Sequence, residues 1–267
     1  GPLNEVGDAP EDCIATDRIW AVTLAEIAHY NATGEATPDL AEWPAAMGAP
    51  VQDGDGIPDN YDLAGGDRPA IQGDQSAWWV QNDRGGAHEF SRGEPLGIEV
   101  RTLAYATSQF FADTYTSLTE GSTLPHATFY RIEVTNRNAV PIEDALVGFW
   151  TYADLGNPTD NYVGCDVKRG FGYVYNRDDD DEGPNGYGEN PPAVGTAWLS
   201  GPDDDTLHAC ASYSSDSSVG GNPNNGIEAY QYLNGQWRDG SSFTYGGNGY
   251  QTGFPVRSLY TGTPPDF

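Results

Sequence analysis

The sequence has little basic charge: one lysine, Lys168, and eleven arginines stand against forty Asp and Glu, for a net charge of −28 over 267 residues. An acidic excess of this size repels phosphate backbones and anionic headgroups, which excludes nucleic acid and membrane surfaces as partners. No apolar run approaches the roughly 18 residues of a membrane-spanning helix, so membrane insertion is not expected. Cysteine is scarce too. Cys13, Cys165 and Cys210 match no zinc spacing, no CxxC pair and no haem-attachment motif, which removes thiol and zinc chemistry. His29, His88, His126 and His208 are scattered, and no HExxH, GxSxG or glycine-rich phosphate loop occurs. The chain is therefore expected to be non-catalytic.

Aromatic residues and glycine are plentiful. Seven Trp and sixteen Tyr raise the aromatic share to 12%, more buriable surface than a disordered acidic chain carries, so the sequence folds. With 34 Gly and 19 Pro it is rich in loops. That composition fits an extracellular or cell-surface setting in which Cys165 and Cys210 form a disulfide and Cys13 is left over.

Residues 1–13 are polar and rich in Gly and Pro, and read as an N-terminal arm or linker ahead of one domain over 14–267. Alternation predicts strands at 18–23, 77–81, 97–107, 128–136, 145–152, 172–175 and 193–199. Two of them, 97–104 and 130–134, suit each other as partners, with Glu99 or Arg101 opposite Arg131 or Glu133 on a solvated face. A short helix is expected over 25–30, closed by Gly34, and another from an Asn225 cap to Leu233. Prolines and the Asp/Gly cluster exclude regular elements between Pro38 and Asp67. The fold class is all-β: an antiparallel, jelly-roll-like β-sandwich with one or two short helices and long calcium-binding loops.

Two acidic stretches are candidates for metal binding. Asp53-Gly54-Asp55-Gly56-Ile57-Pro58-Asp59-Asn60-Tyr61-Asp62 places hard oxygen ligands at alternate positions on a glycine-bent loop, as Ca²⁺ requires. It resembles the calcium loops of thrombospondin type 3 repeats, and the resemblance implies ligation by Asp53, Asp55, Asp59 and Asp62 with the Ile57 carbonyl. Val51 stands where that family has a further carboxylate. The second stretch runs from Asp154 through Asn157, Asp160 and Asp166 to Asp178 and Asp180. Crowded anions there must face water or share a cation, and carboxylates and amides without His or Cys favour Ca²⁺.

Several segments together carry a wider likeness: Glu42-Trp43-Pro44, Gly73-Asp74-Gln75 with Trp78-Trp79, Pro95 to Val100, Asp154-Leu155-Gly156, Tyr162-Val163-Gly164, Gly172 to Asn176 and Trp237 to Gly240. The chain resembles, from about Arg18 to Tyr260, a family of large secreted or cell-surface β-rich bacterial proteins that often bear type IX secretion sorting tails. Cys165 departs from that family's serine. The resemblance implies an extracellular or surface location and transfers no activity. The expected function is a calcium-stabilised structural or adhesive surface module, able to self-associate into filaments through its N-terminal arm. The alternatives are a module binding extracellular polysaccharide through aromatics among Trp78, Trp79, Trp198, Trp237 and Tyr250, and a glycan-cleaving hydrolase with paired carboxylates.

Overall fold

The computed structural model describes residues 1–10, 14–58, 60–86, 88–89, 91–108, 124–201 and 207–259. Antiparallel sheets dominate and helices are few, so the fold is β-rich. The chain forms two compact units where the sequence predicts one domain: Gly1–Ala87 with Glu94–Ile142, and His88–Gly93 with Glu143–Phe267.

The first unit is built from β1 (Trp20–Thr23), α1 (Leu24–Thr33), α2 (Pro38–Ala41), β2 (Val51–Gln52), β3 (Arg68–Pro69), β4 (Gln75–Asn82), β5 (Ile98–Ala106) and β6 (Thr128–Asn136). Its main sheet has the order β1-β4-β5-β6. One face buries Trp20, Val22, Trp78, Val80 and Leu103 against Leu40, Trp43 and Ala49, with Ile27, Tyr30, Tyr61 and Leu63 packed at the edge. Helices and loop thus cover that face. Thr23 ends β1 and starts α1 through a capping box with Glu26, and Gly34 at φ +78° closes the helix. Pro at the first turn lets α2 form inside the stretch expected to lack regular elements.

Strands β5 and β6 pair from Ile98↔Asn136 to Ala106↔Thr128, and Arg101 stands opposite Glu133 as expected. Glu99 does not fit the solvated face predicted for it. It is fully buried and accepts hydrogen bonds from Arg101 (3.0 Å), Arg137 (2.7 Å) and the backbone N–H of Leu3 (2.7 Å). Burial pushes its carboxyl up, but Arg137, the Leu3 N–H and Arg101 together outweigh that and hold it below the usual value. The same contact corrects the reading of an arm. Leu3 is buried, and Asn82 Nδ2 donates to the Gly1 carbonyl at 2.7 Å, so the described N-terminal residues belong to the first unit. A buried carboxylate needs donors, and the arm supplies one.

The second unit contains β7 (Asn161–Asp166), β8 (Phe171–Asn176), β9 (Asp180–Asp181), β10 (Gly188–Glu189), β11 (Val194–Ala197) and α3 (Gly226–Leu233). Its sheets are β11-β8-β7 and the pair β10-β9. Asn225 caps α3 by accepting the Glu228 N–H at 3.0 Å, as the sequence indicates. The core is small: Tyr232, Trp237 and Phe243, the last two edge to face at 5.1 Å. Trp237 Nε1 donates to the Gly249 carbonyl at 2.7 Å. The expected disulfide joins Cys165 to Cys210 across 45 positions, while Cys13 lies outside the described residues.

In this unit one expected strand is absent and one strand was not expected. The alternating segment 145–152 forms no strand, and Val147, Phe149, Trp150 and Tyr152 are exposed. Asp144 at φ +53° turns the chain and offers its carbonyl to the Tyr230 hydroxyl, and a Cβ on Gly148 would strike Leu233. Alternation alone makes no sheet. Strand β7 has no counterpart among the expected strands, and Gly164 is needed within it: a Cβ there would collide with the Tyr173 ring across the pair.

Candidate metal centre

The acidic loop 53–67 is an excursion between β2 and β3, whose two residue pairs, Val51↔Pro69 and Gln52↔Arg68, hold its ends together. Two tyrosines fasten it to the core. The Tyr61 hydroxyl donates to the Leu40 carbonyl at 2.6 Å, and the Tyr30 hydroxyl to the Leu63 carbonyl at 3.2 Å. Burial pushes the Tyr61 phenol up, so it remains a donor. Gly54 lies directly on Gly66, where any Cβ would meet the Gly66 carbonyl, and Gly66 adopts φ +122°. The loop closes only with glycine at this crossing.

Asp67 sits at the base and is fully buried. Its Oδ1 accepts the Gly54 N–H at 2.9 Å and its Oδ2 the Asp62 N–H at 2.7 Å. Those backbone bonds, Asp62 first and then Gly54, hold the Asp67 carboxyl below its usual range. Above it, Asp53 Oδ1 accepts the Gly56 N–H at 2.6 Å, and Asp55 accepts the Ile57 N–H at 2.8 Å and the Asn60 amide at 3.1 Å. One carboxylate oxygen from each of Asp53, Asp55 and Asp67 lies within 4.8 Å of the others, a group that could hold a metal ion. Asp62 adjoins it. A Cβ on Gly65 would lie 2.8 Å from Asp62 Oδ2 and 3.2 Å from Asp55 Oδ2, so both oxygens look toward the same small space.

The nearby cation, Arg68, helps to hold the Asp67 carboxyl down through its charge but directs its own N–H groups elsewhere. The Arg68 guanidinium lies over the Tyr30 ring and donates to Asn31 Oδ1 and to the Leu63 and Asp67 carbonyls. Two like charges about 4 Å apart repel by roughly 4 kcal/mol at an effective dielectric of 20. A hard divalent cation among the oxygens turns that repulsion into attraction, and carboxylate ligands without His or Cys suit such an ion.

Of the loop residues predicted as ligands, the structure brings Asp53 and Asp55 together and sets Asp62 beside them. Ile57 is exposed and gives its N–H to Asp55, and Asp59 lies outside the described residues. Sequence reasoning missed Asp67. Its signal is the Gly65-Gly66 pair before it, which lets a residue twelve positions after Asp55 return to the start of the loop.

The second predicted set does not assemble. Asp160 stands just before β7 and Asp166 ends it, roughly 20 Å apart at strand geometry. Asp166 caps the turn after β7 and pairs with Arg169 at 2.7 Å. Asp154 is exposed, and Asp178 and Asp180 are exposed around a shallow hollow shared with Asp179, Glu189 and Asn190. Asn157 uses its Oδ1 on Thr159 and its N–H on Asp181 Oδ1 at 3.0 Å. Asp181, not predicted, is the buried carboxylate here, and its other oxygen accepts the Tyr187 N–H at 2.8 Å. Among the described residues, no helix is long and apolar enough to cross a membrane. Comparisons with family models, curated proteins and solved structures find no match to this chain.

Proposed function

We propose that the chain is a calcium-stabilised, non-catalytic structural or adhesive module of an extracellular or cell-surface protein, with Ca²⁺ held by Asp53, Asp55 and Asp67 and with Asp62 as a further oxygen source. The carrying observation is the fully buried Asp67 carboxylate with two other carboxylates within 4.8 Å. Asp67 is already fixed by two backbone N–H groups, and each of its oxygens keeps a lone pair for an ion. The disulfide is compatible with an extracellular setting. The family resemblance points the same way. A sandwich belongs to this reading as well: the opposite face of the main sheet carries Trp79, Val100, Ile132 and Val134, apolar surface that a second layer would cover. Polymerisation through the arm loses its support, because Leu3 is bound to Glu99.

Extracellular calcium modules have dissociation constants of about 10⁻⁴–10⁻³ M, so about 10 mM Ca²⁺ should stabilise the fold by roughly 1.4–2.7 kcal/mol. Melting curves with EDTA and with CaCl₂ test this. The shift should shrink in Asp55→Asn, and equal melting of the wild type under both conditions would overturn the assignment.

A second reading, glycan binding, is favoured by one feature that the sequence did not single out. Phe171, Tyr173 and Tyr175 form a strip along β8 with ring centroids 5.4 and 5.8 Å apart, flanked by Gly164 and Gly195, where a Cβ would strike the rings. Rings over glycines on a sheet suit stacking against sugars. Of the aromatics proposed from sequence, Trp78 and Trp237 are core residues. Retention on a polysaccharide column, lost in Tyr173→Ala, distinguishes this reading.

A further inference from the structure

The second unit has polar atoms that its own hydrogen bonds leave unanswered. At the end of β7 and β8 away from their connecting turn, Asn161 stands opposite Asn176 in register. Both side-chain polar atoms of Asn161, the Nδ2 of Asn176 and the Oδ1 of Asp160 are buried without a hydrogen-bond partner among the described residues. Asn176 is 6% exposed, and its Oδ1 is committed to the Asp178 N–H at 3.0 Å. The Asp160 carbonyl accepts the Arg177 N–H at 3.1 Å, which continues the β7–β8 pairing one step past the asparagines. Three neighbouring residues, Asp160 and Asn161 adjacent in the chain and Asn176 across the pair, therefore carry four orphaned polar atoms.

Native folds rarely leave such atoms unpaired, because each forfeits its hydration for nothing. A water molecule would answer the amides and leave the Asp160 charge without a counterion. No described Lys or Arg side chain forms an ion pair with Asp160. A hard divalent cation answers both needs. It takes the Asp160 and Asn161 oxygens as ligands, and the waters it carries in its remaining positions accept from the two Nδ2 groups, which reach no protein oxygen of their own. The neighbourhood is braced: the Asn157 N–H bond to buried Asp181 ties the turn that carries Asp160 to β9.

We propose that Asp160 and Asn161, backed by Asn176, form a second site for a hard divalent cation of the Ca²⁺ class, separate from the loop of the first unit. The residues differ from the acidic run predicted by sequence: two of the three are amides, and the exposed acids Asp178 and Asp180 are not needed. This inference does not depend on the Asp53/Asp55/Asp67 assignment.

The test is equilibrium dialysis of the EDTA-stripped full chain against CaCl₂, with elemental analysis, in about 0.1 M KCl to screen loose binding to exposed acids. The wild type should bind two equivalents, Asn161→Leu one, and Asp67→Asn the other one. Asn161→Leu keeps the size of the side chain and removes the orphaned atoms. Its melting temperature in EDTA should equal or exceed that of the wild type, while its response to calcium falls. Asp160→Asn, closer still in shape, should weaken the second equivalent at least about tenfold, consistent with loss of a charged ligand. A single wild-type equivalent lost only in Asp67→Asn would overturn this proposal and leave the first standing. A single equivalent lost only in Asn161→Leu would do the reverse.

Discussion

Among the described residues, the first unit buries eight in one apolar cluster beneath a four-stranded sheet, whereas the second buries three aromatics in its cluster and adds a covalent bridge. The difference shows two routes to order on one acidic chain. Where strands are long enough to present a continuous face, burial does most of the stabilising. Where they are short and interrupted, the disulfide and the buried side-chain hydrogen bonds take a larger share.

Mutations in each unit can break that contrast. Trp78→Ala removes the largest buried side chain under the sheet and should cost about 3–5 kcal/mol. Calorimetry should show a lowered transition for the first unit alone; an equal fall across the whole endotherm would mean that the units do not melt separately. Replacing Cys165 and Cys210 by serine opens a loop of 45 residues, worth about 4 kcal/mol by chain entropy, with about 2–5 kcal/mol typical of natural bridges. That loss should fall on the second unit, and a variant melting like the wild type would remove the distinction between the two routes.

Acid should sharpen the contrast least but with a definite sign. Glu99 and Asp67 both have folded values below the ordinary 4.5 and 3.8. Their stabilisation is fully present above those ordinary values and is lost as pH falls through the lower, folded ones. The depressed carboxylates of the second unit, such as Asp166 and Glu228, are not fully buried. Melting followed between about pH 6 and pH 3 should therefore show both units losing stability as the pH falls, and a unit whose transition does not move over that range would contradict the lowered values of its carboxylates.

The elements with their own local signals were legible in the sequence. Strand β6 lies where alternation put it, α1 ends at Gly34, and Asn225 starts α3. Each rests on a pattern within one stretch of chain. What was hidden depends on distant partners: the burial of Glu99 on Arg137 and Leu3, the absence of a strand at 145–152 on Leu233 and Tyr230, and the presence of β7 on a ring above Gly164. The acidic loop was half visible. Alternating aspartates marked its first half, but the residue that anchors it, Asp67, returns through a turn whose geometry only the glycines record.

Gly65 gives that loop a lock of the smallest size. Its backbone does not need the left-handed region, so alanine could adopt the same dihedrals, yet the added methyl would stand between the oxygens of Asp62 and Asp55. One carbon atom there would plug the opening while every charge stayed in place, so the room for an ion is kept by a hydrogen atom as much as by the aspartates around it.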